Sequence, residues 1–250
     1  MLPLEPGTAA PMLHRLAGEL TRPTAVLAFS PHWMARGVVV GSSDRPETIH
    51  DFGGFDPALY EMQYPAPGDP GLAERAARML QAAGRNAVLD PQRGLDHGVW
   101  VPLRFLFPDA DIPVVPVAMP WPLDAAGALR MGRALSPLAD EGVLLMGTGS
   151  LTHNLHEFRP GSPTDAPSEP YVVEFVDWMR EHLDSGDTEA LLAYRERAPD
   201  ARRAHPTDEH LLPLYFALGA AGEGARPHHY AGGVHYGMLS MDAWTFSCDA

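Results

Sequence analysis

Four of the twelve histidines in this chain stand beside glycine, proline or small polar residues at the ends of predicted elements. They are His32 in Ser30-Pro31-His32-Trp33, His97 in Leu95-Asp96-His97-Gly98, His153 in Ser150-Leu151-Thr152-His153-Asn154, and His210 in Pro206-Thr207-Asp208-Glu209-His210. Imidazole is the commonest protein metal ligand and the usual general base near neutral pH. Histidines spread along the chain but placed at element ends point to one mononuclear metal centre assembled by the fold. The single cysteine, Cys248, lies close to the C-terminus and excludes both an internal disulfide and a cysteine-rich zinc site. The His-Glu-x-x-His signature of zinc hydrolases does not occur.

The elements that must position these residues alternate. Residues 9–20 carry apolar side chains at helical spacing (Met12, Leu13, Leu16, Leu20), closed by Arg22-Pro23. Residues 25–30 are almost wholly apolar, as a strand buried on both faces requires, and His32 follows directly. Further strands are predicted at 38–40, 86–89, 113–118 and 143–146, the last running into Gly147-Thr148-Gly149-Ser150. Helices are predicted at 71–83, 101–107, 125–139, 172–183, 189–197 and 207–220, with strands near His228 and at 238–246. The glycine- and proline-rich stretch 42–68 reads as a long functional loop, and 160–170 as a surface loop. Strands separated by helices predict a single-domain α/β layered fold, with a central, mostly parallel or mixed sheet flanked by helices. In open α/β sheets ligands bind outside the carboxyl ends of strands, where His32 and His153 fall.

Composition narrows the partners. The chain has 250 residues, 45% of them hydrophobic, with 32 acidic against 18 basic side chains and a formal net charge of -14. That length suits one domain. The charge argues against a nucleic-acid face or a polybasic membrane anchor. No apolar run reaches the ~20 residues of a membrane span, and the first residues lack the pattern of a signal peptide. A cytoplasmic location is the expectation.

Ordered segments over nearly the whole chain resemble the class III extradiol ring-cleaving dioxygenases, specifically the DOPA 4,5-dioxygenase-like subgroup. They are Ser30-Pro31-His32-Trp33; Thr48-Ile49-His50-Asp51-Phe52-Gly53-Gly54-Phe55 with Tyr60 and Tyr64-Pro65-Ala66-Pro67-Gly68; Gly94 to Trp100; Phe107 to Val114; Gly149 to Leu155; Pro206 to Leu214; and Gly237 to Met241. The resemblance implies one divalent metal ion, Fe(II) functionally with Zn(II) as a substitute, and a catechol-type small molecule and O2 as reactants. By position, His32 and His210 would be metal ligands. His153 would be the acid/base histidine, or a further ligand when no substrate is present. His97 would line the pocket and hydrogen-bond substrate. Either Asp208 or Glu209 is close enough in sequence to orient His210. A non-catalytic metal- or ligand-binding protein on the same scaffold, or an inactive truncated product, is the alternative.

Other histidines carry weaker expectations. His50 reads as loop structure or a substrate contact, and His156, His182 and His205 as solvated or structural. His228, His229 and His235 form a group with no defined spacing. Proteins of the resembled family begin with a strand running into a His-Gly-Ser-Pro turn whose histidine is a ligand. This chain starts at Met1-Leu2-Pro3-Leu4-Glu5-Pro6-Gly7, the kind of segment that follows that turn. The first strand and first ligand are therefore expected upstream, and His14, inside a predicted helix, is a poor substitute. A chain truly starting here would have an unpaired strand position inside its sheet and a weakened site.

Overall fold

The computed structural model describes residues 3–247; Cys248 lies outside the described residues. At its centre is a five-stranded sheet, built from β1 (Ala25–Ala35), β2 (Val38–Gly41), β3 (Ala87–Asp90), β4 (Val114–Pro120) and β5 (Val143–Gly147) in the order β3-β2-β4-β1-β5. β1 is parallel to both neighbours, with Val26 opposite Val114 and Leu144, while β2 runs antiparallel to β4 and parallel to β3. The sheet is mixed, as the α/β reading allowed. Its strands are consecutive neighbours, so among the described residues there is no open strand position inside it. The edges are β3 and β5.

Period-two alternation along β1 sends its side chains into two cores. Ala25, Leu27 and Phe29 join one cluster, with Val38, Val40, Leu72, Leu80, Met131 and Phe216. Val26 and Ala28 join the other, with Met12, Leu16, Trp100, Leu103 and Tyr230. Phe29 is fully buried and stacks on Phe216 with centroids 4.7 Å apart; burying such a ring contributes about 1.5–3 kcal/mol.

The helices are α1 (Ala9–Glu19), α2 (Ala58–Glu61), α3 (Pro70–Ala82), α4 (His97–Leu106), α5 (Ala125–Leu135), α6 (Pro170–Ser185), α7 (Thr188–Leu192), α8 (Tyr194–Arg197), α9 (Ala201–Ala204) and α10 (Leu212–Ala221). α1 and α4 cover one face of the sheet; α3, α5, α6 and α10 cover the other. Local chemistry explains several starts. Asp69 caps α3 by accepting from the Leu72 N–H, with Pro70 in the first turn, and Asp124 caps α5 through Gly127. The last part of the chain adds two small antiparallel ladders, β6 (Arg226–Tyr230) with β9 (Ala243–Ser247), and β7 (Val234–His235) with β8 (Leu239–Ser240).

Five departures from the sequence reading occur, the first three of them at the site. β1 continues past His32 to Ala35, with its register against β4 shifting between Ser30 and Met34, so His32 lies at an irregularity within a strand and not beyond its end. α4 begins at His97 instead of residue 101, because Asp96 takes the extended conformation that precedes a first turn. α10 begins at Leu212 rather than 207, so His210 sits in the turn before the helix, where the Asp208 carbonyl accepts from the Leu211 and Leu212 N–H groups. The helix expected over 125–139 passes after Leu135 into a 3₁₀ turn spanning Ser136–Glu141, and that over 189–197 divides into α7 and α8.

Candidate active site

The four histidines singled out by type and placement converge. His32 lies in β1 beyond Ser30, His97 is the first residue of α4, His153 follows the glycine-rich turn after β5, and His210 precedes α10. Ring centroids are 3.9 Å apart for His32 and His97, 5.1 Å for His32 and His210, and 3.5 Å for His153 and His210, the last pair parallel within 6°. The order across the site is thus His97, His32, His210, His153.

Each imidazole is held by its backbone neighbours. The turn after β5 is tied to the segment before α10: the Ser150 N–H donates to the His210 carbonyl and the His153 N–H to the Ala204 carbonyl, both at 2.9 Å. Gly149 permits this approach, since a Cβ there would collide with the His210 carbonyl oxygen. Under the turn lies His205, with no exposed surface, whose Nε2 meets the Leu151 carbonyl at 2.6 Å. His205 is therefore structural.

On the other side, a buried polar network joins β1 to α4. The Ser30 hydroxyl donates to Asp96 Oδ1 at 2.7 Å and accepts from the His32 N–H at 3.3 Å, while Arg93 donates to Asp96 Oδ2 at 3.0 Å. Asp96 has no exposed surface; burial lifts its pKa above the ordinary carboxylate range, against the opposing pull of Ser30 and Arg93. A side chain at Gly98 would come within 2.5 Å of Ser30 Oγ and 2.7 Å of His32 Cδ2.

Two carboxylates that sequence reading did not assign complete the site. Asp51 Oδ1 lies 3.0 Å from His97 Nδ1 and accepts the His97 backbone N–H at 2.9 Å, while Oδ2 is 3.9 Å from His32 Nδ1. The ring N–H of His97 is not aligned on Oδ1, so that contact is electrostatic and the backbone bond is the directed one. Glu209 Oε1 lies 3.3 Å from His210 Nδ1 and accepts from Thr207. This settles which acid faces His210, because Asp208 is engaged by Tyr194 and Arg195 instead.

The electrostatics follow from crowding. Burial, then the neighbouring His97 and His210, push the His32 pKa down to about 3; burial and His210 push His153 to about 3 as well. Burial works against ionisation of Asp51, but the close His97 ring and the hydrogen bond from the His97 backbone N–H outweigh it and bring its pKa to about 2. Hydrogen bonding from His210 brings Glu209 to about 2. His32 and His153 are thus held neutral, and Asp51 and Glu209 ionised, near pH 7.

These residues fit a divalent cation. His210 Nε2 is buried without a hydrogen-bond partner, the state of a ligand nitrogen facing a cation. One ligand atom each from His32, Asp51 and His97 lies within 4.8 Å of the others, the one such group of three among the described residues. Imidazole nitrogens with a carboxylate close by are the surroundings that non-haem iron and zinc accept.

The family profile described as the catalytic LigB subunit of aromatic ring-opening dioxygenase matches residues 8–241. The chain belongs to this family. A 4,5-DOPA dioxygenase extradiol of Beta vulgaris is 39% identical over 227 residues, covering 90% of this chain and 84% of that protein. The protein of the same description from Escherichia coli (strain K12) is 38% identical over 232 residues, covering 91% and 83%. The crystal structure of an uncharacterized protein from Escherichia coli K12 matches with a TM-score of 0.79 at 31% identity, covering 94% of this chain and 91% of that one. This LigB-family protein is a class III extradiol dioxygenase of the DOPA 4,5-dioxygenase-like subgroup, an enzyme that opens an aromatic ring beside its hydroxyl pair. The binding-only alternative is set aside accordingly.

The remaining histidines of the dioxygenase fall elsewhere. His50 Nε2 meets the Met62 carbonyl at 2.9 Å and braces its loop. His14, on α1, packs against Phe105 of α4. His228 and His229 face different acids, Glu19 and Asp242, and His235 lies against Gly7, so the three do not converge on one point. His182 caps its own helix against the Trp178 carbonyl. No helix among the described residues is long and apolar enough to cross a membrane. Asp51 stood inside the resembled segment, but nothing in its spacing disclosed a partner 46 residues away.

Proposed function

We propose that this chain is a single catalytic domain that cleaves a catechol next to its hydroxyl pair, with His32 and His210 holding one divalent cation and His153 as acid/base. Fe(II) is the functional metal in this reading, Zn(II) a redox-silent substitute, and the cytoplasm the site of action. The supporting observation is the chain of ring contacts that joins four histidines from distant segments, one of which, His210, has a buried Nε2 without a partner. Because relatives carry the name 4,5-DOPA dioxygenase extradiol, a catechol bearing an amino-acid side chain is the first substrate to test.

The residues divide the work. His32 and His210 would offer Nε2 to the cation, each with a carboxylate near Nδ1, Asp51 for one and Glu209 for the other. When bound, the metal supplies a Lewis acid on which a catechol and O2 can meet. His153, neutral beside His210, would take a catechol proton and return it as the ring opens. His97 would hydrogen-bond a substrate oxygen. One carbon–carbon bond breaks, and each carbon released from it gains one atom of O2, one becoming a carboxyl and the other an aldehyde.

The test is direct. Fe(II)-loaded protein mixed with the catechol in air should develop the yellow absorbance of a ring-opened product and consume one O2 per catechol. Anaerobic samples should stay colourless. Oxygen-independent colour, or none with any catechol offered, would remove this reading.

A further inference from the structure

The loop carrying Asp51 is fastened to the segment that starts α4. The Leu95 N–H donates to the Glu47 carbonyl and the Ile49 N–H to the Leu95 carbonyl, both at 2.8 Å, while Trp100 Nε1 donates to the Ile49 carbonyl at 2.9 Å. Gly94 lies so close to the Glu47 carbonyl that a Cβ there would collide with it. Trp100 is fully buried, so this seam is anchored in the core. Residues 47–51 are thus held as a ladder against 94–100, and the Asp51 carboxylate reaches the histidines from a fixed backbone.

From that position the carboxylate addresses two rings at once. Oδ1 takes the His97 backbone N–H and sits beside His97 Nδ1; Oδ2 faces His32 Nδ1 at 3.9 Å, beyond hydrogen-bond range but within electrostatic reach. An imidazole that gives Nε2 to a metal has Nδ1 left for an orienting partner, which fixes both its tautomer and its direction.

We propose that Asp51 is a positioning residue, and not a metal ligand, whose carboxylate orients His32 toward the cation and His97 toward substrate. Oδ1 is already committed to the His97 backbone, and binding a cation there would sacrifice the contact that places α4's first residue. The inference rests on the functional reading above for what His32 and His97 do, but its primary test does not depend on turnover.

The test uses the whole chain loaded with zinc alone. Asp51→Asn keeps the shape and the acceptor for the His97 N–H but removes the charge. Its zinc affinity, measured by competition with a chromophoric chelator, should fall about 10–100-fold, while saturating zinc still reaches the wild-type stoichiometry. The visible spectrum of the Co(II)-loaded variant should keep the wild-type band positions and intensity, because the ligand set is unchanged. Thr48→Ala removes the hydroxyl that holds the Tyr64 N–H in the same loop; it should lower the melting temperature and leave zinc affinity within about two-fold of wild type.

Altered Co(II) bands or a lost equivalent of zinc in Asp51→Asn would make Asp51 a ligand and overturn the proposal. So would unchanged zinc affinity, or an equal loss in Thr48→Ala, which would reduce Asp51 to a loop fastener. With a catechol that is turned over, the Fe(II)-loaded Asp51→Asn protein should also lose kcat more than it raises KM. Absence of turnover in the wild type would count against the proposed function alone, since the zinc and cobalt results stand without it.

Discussion

His153 and His210 stack ring on ring, with centroids 3.5 Å apart and planes within 6°. The contact brings the turn after β5 and the turn before α10 together at the carboxyl end of the sheet. It places the proposed acid/base beside a proposed ligand, close enough that protonating one imidazole disfavours a charge on the other.

The stacked pair separates by mutation. His153→Ala should lower turnover by about 10²–10⁴-fold and leave metal content nearly unchanged, read by elemental analysis beside steady-state kinetics. Full activity would remove His153 from the chemistry. Metal lost together with activity would make it a ligand instead.

His32→Ala and His210→Ala should each strip the cation. After dialysis against metal-free buffer, both variants should retain well under half the iron or zinc of the parent chain. Unchanged stoichiometry in both would contradict the assignment of these two rings.

Gly98→Ala tests how tightly β1 and α4 meet. The added methyl would lie 2.7 Å from His32 Cδ2 and 2.5 Å from Ser30 Oγ, so the His32 ring or the helix start must move. Overpacking of this kind costs about 1–3 kcal/mol. Metal affinity should fall with it, and a variant with wild-type melting temperature and zinc affinity would show that the two segments separate easily.

Stability of the metal-free protein should fall with acid before the carboxylates titrate. Burial depresses the folded-state pKa of His205 to about 4, and of His32 and His153 to about 3, each below the ordinary histidine value of 6.5. Between those limits the unfolded chain binds more protons than the folded one, so stability present above pH 6.5 is lost progressively as pH falls toward 4. Asp51 and Glu209, held at about 2, add a second decline at lower pH as their favourable contacts are neutralised. Urea midpoints measured from pH 7.5 downward give the curve. A flat midpoint between pH 7 and pH 5 would show that these imidazoles are not kept neutral by the fold.

Much of the architecture is legible along the chain because it is encoded by local periodicity. The apolar run at 25–30 reads as a strand buried on both faces, and its alternate residues enter two separate cores. Residues 9–20 and 71–83 show helical spacing, and helices occur there within one or two residues. The histidines at 32, 97, 153 and 210 were identifiable because glycine, proline and small polar neighbours mark element ends, where open α/β sheets build their sites.

The pairings within the site were decided by tertiary structure alone. Asp51 meets His97 because the 47–51 loop is laddered to the start of α4, and Ser30 meets Asp96 across 66 positions because β1 packs beneath that helix. Glu209 rather than Asp208 faces His210 because Tyr194 and Arg195, from α8, take the other acid. Periodicity reports which face of an element is apolar, and it operates over a few residues. Which carboxylate reaches which imidazole depends on register, loop attachment and competing partners far away in the chain. By itself the sequence therefore marked most of the elements, to within shifted boundaries, and the histidines proposed to carry metal chemistry. The orientation of each ring became definite only when the packed sheet and helices brought distant segments within a few ångströms.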